Sequence, residues 1–189
     1  IEVQQDTLTI SLSTTRESPD SSSLQIQLKA ALESALAEAK KAVNGNGMAV
    51  RTGQFNVSPR YDKNGKINGW QGNVELILEG SDFERIASTA GRIQTLTVSN
   101  ISFGLSRDQR VLAESKAQAV AISRFKSKAS EISKSFGFST YTLREVAINT
   151  VDQGYTPRPR VMSMEMKMVS GDSTVPGEAG KNTIVVNVS

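Results

Sequence analysis

Four methionines occupy every second position of VMSMEMKMV (161–169), a stretch near the end of the chain. In a β-strand, where side chains alternate between the two faces, all four sulfurs would project from the same side. Thioether sulfur is a soft, neutral ligand that suits Cu(I), and the flexible methionine side chain lets two neighbouring sulfurs approach one ion. The segment is therefore a candidate Cu(I) site whose ligands would be Met162, Met164, Met166 and Met168.

Two other interpretations of this methionine segment stay open. Methionine is an adaptable apolar residue, so the same face could fill a gap over a sheet or cover a neighbouring subunit. TPRPR (156–160) precedes the segment and SGDSTVPGEAGKN (170–182) follows it, and flanks rich in Pro, Gly and Ser are typical of a mobile arm. Packing or subunit contact is the favoured interpretation, ahead of a mobile arm and of metal binding.

The chain contains neither cysteine nor histidine. This excludes disulfides, thiolate chemistry and Ser-His-Asp triads, and it leaves acid–base catalysis to Asp, Glu, Lys or Tyr. No spacing singles out a pair among the carboxylates in the middle of the chain, which are Asp62, Glu75, Glu79, Asp82 and Glu84. Glu75 and Glu79 fall on the polar face of a predicted strand, which is ordinarily solvated. We therefore predict a protein that is not an enzyme, with no catalytic residue and no bound cofactor.

Charge and hydropathy narrow the range of partners. The 22 basic and 19 acidic side chains give a net charge of +3 and are scattered along the chain. Basic residues are most frequent in the longest predicted helix, at Arg110, Lys116, Arg124, Lys126, Lys128 and Lys134. Acidic residues interrupt this series, so a solvated helix face is favoured over a nucleic-acid interface. No apolar run approaches the roughly 18 residues of a membrane span, so we predict no transmembrane segment.

Alternating apolar residues predict the strands that must position any site. Two strands should bury one face each, the first through Leu8, Ile10 and Leu12 and the second through Val74, Leu76 and Leu78. DKNG (62–65) is a hairpin turn signal, and Gly53 is placed for a β-bulge. YTLREVAINTV (141–151) is predicted to be a further strand, and TIVVNVS closes the chain as another.

Apolar residues at steps of three and four predict three helices. The first covers 23–43, and the second begins at Ser81 and Glu84, which have capping-box spacing. The third is an Ala-rich helix of about 108–136 with Gly137 as its C′ residue. Its small residues form a seam predicted to pack on the sheet, made of Ala113, Ala117, Ala121 and Ala129.

The order of these elements predicts an α+β fold, a mainly antiparallel sheet with helices packed on one face. We expect a single domain made of residues 1–149 and 183–189. Residues 150–182 are predicted to be a connection rich in Pro, Met and Gly, either a mobile arm or partly a strand.

Several motifs resemble those of one protein family. They are SNISFGLSRDQ (99–109), which runs into the Ala-rich helix, and NGW (68–70) in the hairpin. Together they are similar to the SIMPL-domain family of exported bacterial proteins, which includes periplasmic immunogenic proteins and oxidative-stress defence proteins. Members of that family usually have Tyr where this chain has Trp70.

The resemblance implies a periplasmic or outer-membrane-associated protein whose signal peptide has been removed. It implies self-assembly into homo-oligomers, with an envelope protein as a further partner, and a role in envelope or oxidative-stress tolerance. It brings no catalytic residues. The leading hypothesis is therefore a non-enzymatic structural or interaction protein, and the alternative is a Cu(I)-binding module that uses residues 162–168.

Overall fold

The structure is a computed structural model that describes residues 1–43, 45–153 and 179–189. It contains three helices and two antiparallel sheets, which confirms the predicted α+β class. The elements are β1 (Glu2–Gln4), β2 (Thr7–Ser18), α1 (Ser21–Ala42), β3 (Met48–Tyr61), β4 (Ile67–Gly80), α2 (Phe83–Arg92), β5 (Thr97–Gly104), α3 (Arg107–Ser135), β6 (Ile148–Gln153) and β7 (Lys181–Val188).

Contacts divide the chain into two compact units. The first unit contains residues 6–104, and the second contains 1–5, 105–153 and 179–189. The strands that we expected in one sheet are thus distributed over two. The methionine segment lies outside the described residues, and so does most of the predicted connection over 150–182. The single-domain arrangement stays a prediction.

The first unit is a four-stranded antiparallel sheet in the order β3-β4-β2-β5. With α1 between β2 and β3 and α2 between β4 and β5, this unit has the β-α-β-β-α-β arrangement of ferredoxin-like folds. The register shifts between Thr52 and Phe55, which confirms the predicted bulge at Gly53. Asp82 rather than Ser81 caps α2, because its side chain accepts a hydrogen bond from the Arg85 backbone N–H at 3.1 Å.

The core of the first unit lies between its sheet and its two helices. Ile10 pairs with Leu78 and Leu12 pairs with Leu76, so the two predicted apolar faces form one continuous surface. Leu24 and Leu28 of α1 and Ile86 of α2 pack on it and are fully buried. Burial of an aliphatic side chain stabilises the folded state by about 1.5–3 kcal/mol, and this cluster therefore supplies most of the unit's stability.

The second unit is a three-stranded antiparallel sheet in the order β1-β7-β6, with α3 packed on β7. Ala113 and Ala117 of α3 and Ile184 of β7 are the buried residues of this contact. The side-chain amide of Gln5 holds the strands together: it accepts a hydrogen bond from the Gly180 backbone N–H and donates one to Asn182 Oδ1, both at 2.8 Å.

Candidate functional site

The four methionines predicted as Cu(I) ligands lie outside the described residues, so the Cu(I) site stays a prediction. Four of the five carboxylates that we considered for acid–base chemistry have structural partners, namely Asp62, Glu75, Glu79 and Asp82. Glu79 lies 3.5 Å from the Arg51 guanidinium, and Glu75 accepts a hydrogen bond from the Gln54 backbone N–H at 3.3 Å. Within the ranges that the structure describes, no group of three or more His, Cys, Asp or Glu residues could hold a metal ion.

The most distinctive surface lies where α3 ends. Ser106 caps the N-terminus of the helix, since its side chain accepts a hydrogen bond from the Gln109 backbone N–H at 3.3 Å. At the other end Gly137 has φ of 84°, the left-handed conformation that glycine adopts readily. The Phe138 and Gly137 backbone N–H groups donate to the Ser133 and Lys134 carbonyls at 3.0 Å, which is a Schellman motif.

This turn reverses the chain, so the following residues run back along α3. The Ser133 hydroxyl donates to the Thr140 carbonyl at 3.1 Å, and the Tyr141 hydroxyl lies 3.4 Å from the Lys126 carbonyl that accepts from it. Two side-chain hydrogen bonds to the backbone therefore fix the distance between the helix and the returning segment.

The space between them is an open pocket of about 520 Å³. We call it the α3-turn pocket; its lining residues are Phe125, Lys128, Ala129, Ile132, Ser133, Phe136, Phe138, Thr140 and Tyr141. Phe136 is 76% exposed, Phe138 66% and Ile132 47%. The pocket thus has large apolar side chains that the folded chain leaves in water.

Charged residues around the pocket are mostly basic. Lys128 lies in its wall, 3.0 Å from both carboxylate oxygens of Glu131, and Lys134 stands in the last turn of α3. Both members of the Lys128–Glu131 pair are about two-thirds exposed, and such surface pairs contribute little to stability. The site therefore combines an apolar wall with a weakly basic surrounding.

A family model described as SIMPL, a protein of unknown function (DUF541), matches residues 1–189. The chain belongs to the SIMPL family. The match covers the SNISFGLSRDQ motif and the NGW hairpin, so the resemblance deduced from them is confirmed. No curated protein matches this SIMPL chain. None of its described helices is long and apolar enough to cross a membrane.

Sequence reasoning identified the helix end of this SIMPL chain but missed the pocket. Gly137 was predicted as the C′ residue, whereas the aromatic residues around it were not singled out. A signal was present: Phe125, Phe136 and Phe138 are three of the chain's six phenylalanines and fall within 14 positions. The predicted small-residue seam divides in the structure, since Ala113 and Ala117 are buried while Ala121 and Ala129 are only half-buried.

Proposed function

We propose that this SIMPL protein is a non-enzymatic, exported component of the bacterial envelope that associates with copies of itself. The family supports the envelope location and the link to stress tolerance, and the α3-turn pocket supports the association. The single observation that carries the proposal is the exposure of Phe136 and Phe138, at 76% and 66%, beside an apolar pocket. Exposed apolar patches next to a concave surface are typical of protein interaction sites.

A second exposed apolar pair supplies a counterpart for the pocket. Val111 and Leu112, near the start of the same helix, are 56% and 64% exposed. They lie about 36 Å along α3 from Phe136, since each helical residue advances the axis by about 1.5 Å. Two different surfaces on one chain form a head-to-tail interface, and head-to-tail contacts produce rings when the rotation between subunits closes.

Charge supports this pairing over a contact between two pockets. Lys128 and Lys134 flank the pocket, so two pockets facing each other would bring like charges together, which lowers affinity. The Val111–Leu112 pair has neighbours of both signs, Asp108 and Glu114 beside Arg110 and Lys116, so it does not present a block of like charge to the pocket.

The loss of affinity expected from substitutions in this contact follows from the apolar area that association would bury. Burying one phenylalanine side chain stabilises a contact by about 1.5–3 kcal/mol. Substituting both Phe136 and Phe138 by serine should therefore weaken association by about 3 kcal/mol or more, which is on the order of a hundredfold in Kd. Because both side chains are largely exposed, the substitutions should leave folding intact.

Sedimentation velocity at micromolar concentration tests the proposal with two complementary variants. F136S/F138S keeps the Val111–Leu112 pair, and V111S/L112S keeps the pocket. We expect each variant alone to be monomeric and their mixture to form dimers, because only the mixture restores one intact interface. Ile26→Ser is the matched control, since Ile26 is 68% exposed on α1 and distant in sequence from both surfaces. A monomeric wild-type chain would refute self-association.

A further inference from the structure

A second cavity in the same unit lies between α3 and β7, and its lining suits a function other than the proposed self-association. Ala117 is buried against β7, but Val120, one turn further, is 39% exposed. The resulting space measures about 570 Å³, and we call it the α3–β7 cleft. Its apolar walls are formed on the helix by Ala117, Val120, Ala121 and Phe125, and on the strand by Ile184, Val186 and Val188.

Two cationic side chains, those of Arg124 and Lys128, line this apolar cleft. Arg124 and Lys128 lie one helical turn apart, so their side chains share a face of α3. None of the described residues that line the cleft is Asp or Glu. Lys128 pairs with Glu131, whereas Arg124 has no ion-pair partner in the part of the chain that the structure describes. The long side chains of Arg and Lys can cover an apolar wall while their charged groups stay in water.

We propose that the α3–β7 cleft binds a single-chain anionic amphiphile, such as a long-chain fatty acid. Its hydrocarbon tail lies between α3 and β7, and its carboxylate meets Arg124 and Lys128 at the edge. The guanidinium of Arg is suited to this role because its planar N–H groups bind a carboxylate through two parallel hydrogen bonds. The cleft volume lies within the range of about 300–1,000 Å³ that small-molecule sites occupy.

The size of the cleft favours this ligand over a helix from another chain. A helix with side chains is about 10–12 Å wide and rises about 5.4 Å per turn, so the cleft holds only about one turn. An acyl chain is thinner and flexible, so it can lie along the apolar wall of such a space. Arg124 and Lys128 at the edge of the cleft attract a negatively charged head group, which is why we specify an anion.

Calorimetric titration of the full chain with dodecanoate, below its micellar concentration, tests the proposal. We expect saturable binding of one dodecanoate per chain, and binding at least about tenfold weaker in R124Q/K128Q because two charge-assisted contacts are lost. K116Q/K126Q removes the same charge from α3 residues that do not line the cleft, and it should bind like the wild type. Dodecanol, which has the same tail and no charge, should bind at least about tenfold more weakly than dodecanoate.

A steric variant tests the position of the tail. Ala121 lines the cleft, and Ala121→Phe should fill it and abolish binding, whereas thermal unfolding followed by circular dichroism shows whether the variant folds. If Ala121→Phe does not fold, Ala121→Met provides the same test with a smaller, flexible side chain.

Three results would overturn the proposal. The first is the absence of saturable dodecanoate binding to the wild-type chain. The second is binding that R124Q/K128Q and the Ala121 variant leave unchanged. The third is co-sedimentation of the chain with phosphatidylglycerol vesicles that added dodecanoate does not prevent. That result would mean that Arg124 and Lys128 bind a membrane surface. Sedimentation of R124Q separates this proposal from self-association, because Arg124 lines the cleft but not the α3-turn pocket, whereas Lys128 lines both. We expect the oligomer size of R124Q to be that of the wild type, and a monomeric R124Q that binds no dodecanoate would assign the cleft to subunit contact instead.

Discussion

The buried amide of Gln5 should decide the stability of the unit that contains α3. Its side chain makes two hydrogen bonds of 2.8 Å, to Gly180 and to Asn182, and it is only 6% exposed. Gln5→Ala removes both bonds and leaves the Gly180 N–H and the Asn182 carbonyl oxygen without these partners. A lost hydrogen bond costs about 1 kcal/mol, and a buried polar group left unsatisfied costs about 1–3 kcal/mol. We therefore expect a loss of about 2–4 kcal/mol.

The neighbouring glutamine provides a matched control. Gln4 also donates a side-chain hydrogen bond, to the Ala179 carbonyl at 3.1 Å, but this bond is exposed to water. Gln4→Ala should therefore cost less than about 0.5 kcal/mol. The double variant Q5A/N182A should be less destabilised than the sum of its single variants, because both remove the same buried pair.

Native-state hydrogen exchange is the suitable assay, because a chain with two compact units does not have to unfold in one step. The exchange of the Ile184 amide, which donates to the Ile1 carbonyl at 2.9 Å, reports on β7. Exchange at Leu76 reports on the first unit and should not change. If Gln5→Ala accelerated exchange at Ile184 no more than Gln4→Ala does, the stabilising role of the buried amide would be wrong.

Three further outcomes are expected. Gly72→Ala should destabilise the first unit by about 1–3 kcal/mol in urea unfolding, because the added Cβ would stand 2.5 Å from Leu28 Cδ1; a variant as stable as the wild type would contradict this packing. The pKa of Glu38 is lowered from 4.5, chiefly by its hydrogen bond from Lys41. The ionised Glu38 carboxylate therefore stabilises the folded state above pH 4.5, and this stabilisation is lost as the pH falls through the folded-state pKa. NMR titration should show a higher Glu38 pKa in Lys41→Gln, and an equal pKa would exclude that cause. Replacing the methionines of 162–168 by leucine should leave the oligomer size unchanged. An anaerobic titration of the wild-type chain against a competing chelator should show no stoichiometric Cu(I) binding. Tight Cu(I) binding by the wild type that is lost in the leucine variant would establish the metal site instead.

Local sequence patterns predicted the helices and strands of this fold well where the buried residues recur at a regular spacing. Leu8, Ile10 and Leu12 alternate with polar residues, and all three are buried in the core as expected. Gly137 ends α3 as predicted, because the left-handed conformation that the turn needs disfavours other residues. In both cases the physical cause acts over a few residues, so the sequence contains it directly.

Pairing between distant segments could not be predicted in the same way. β1 has only three residues, and it pairs with β7 at the opposite end of the chain through contacts such as Val3 with Asn182. Alternation shows which face of a strand is buried but does not identify its neighbour. For this reason the two sheets were expected as one. The strand predicted over 141–151 also begins only at Ile148, because residues 141–146 follow the reversed turn. Ala147 exchanges two backbone hydrogen bonds with Ser189, of 2.8 and 3.0 Å, at the end of the β6–β7 ladder.

The α3-turn pocket was missed for a related reason. Apolar residues at helical spacing predict a buried stripe, but the seam that we predicted in α3 contained only alanines, and Phe125, Ile132 and Phe136 were not singled out. In α3 only Ala113 and Ala117 are buried, against β7, and the C-terminal half of the helix faces the returning residues 138–141 across an open pocket. Helical spacing in the sequence shows that α3 has an apolar stripe, whereas the length of β7 relative to α3 decides how much of that stripe is buried.

The central claim is a head-to-tail contact between copies of the chain, and the mixing experiment tests it most directly. F136S/F138S and V111S/L112S are each measured alone and then in equal amounts by sedimentation velocity. We expect each of the two variants to be monomeric alone and their mixture to form a dimer, whereas the wild type and Ile26→Ser form larger assemblies. Variants that keep the wild-type assembly, or a mixture that stays monomeric while the wild type assembles, would contradict it.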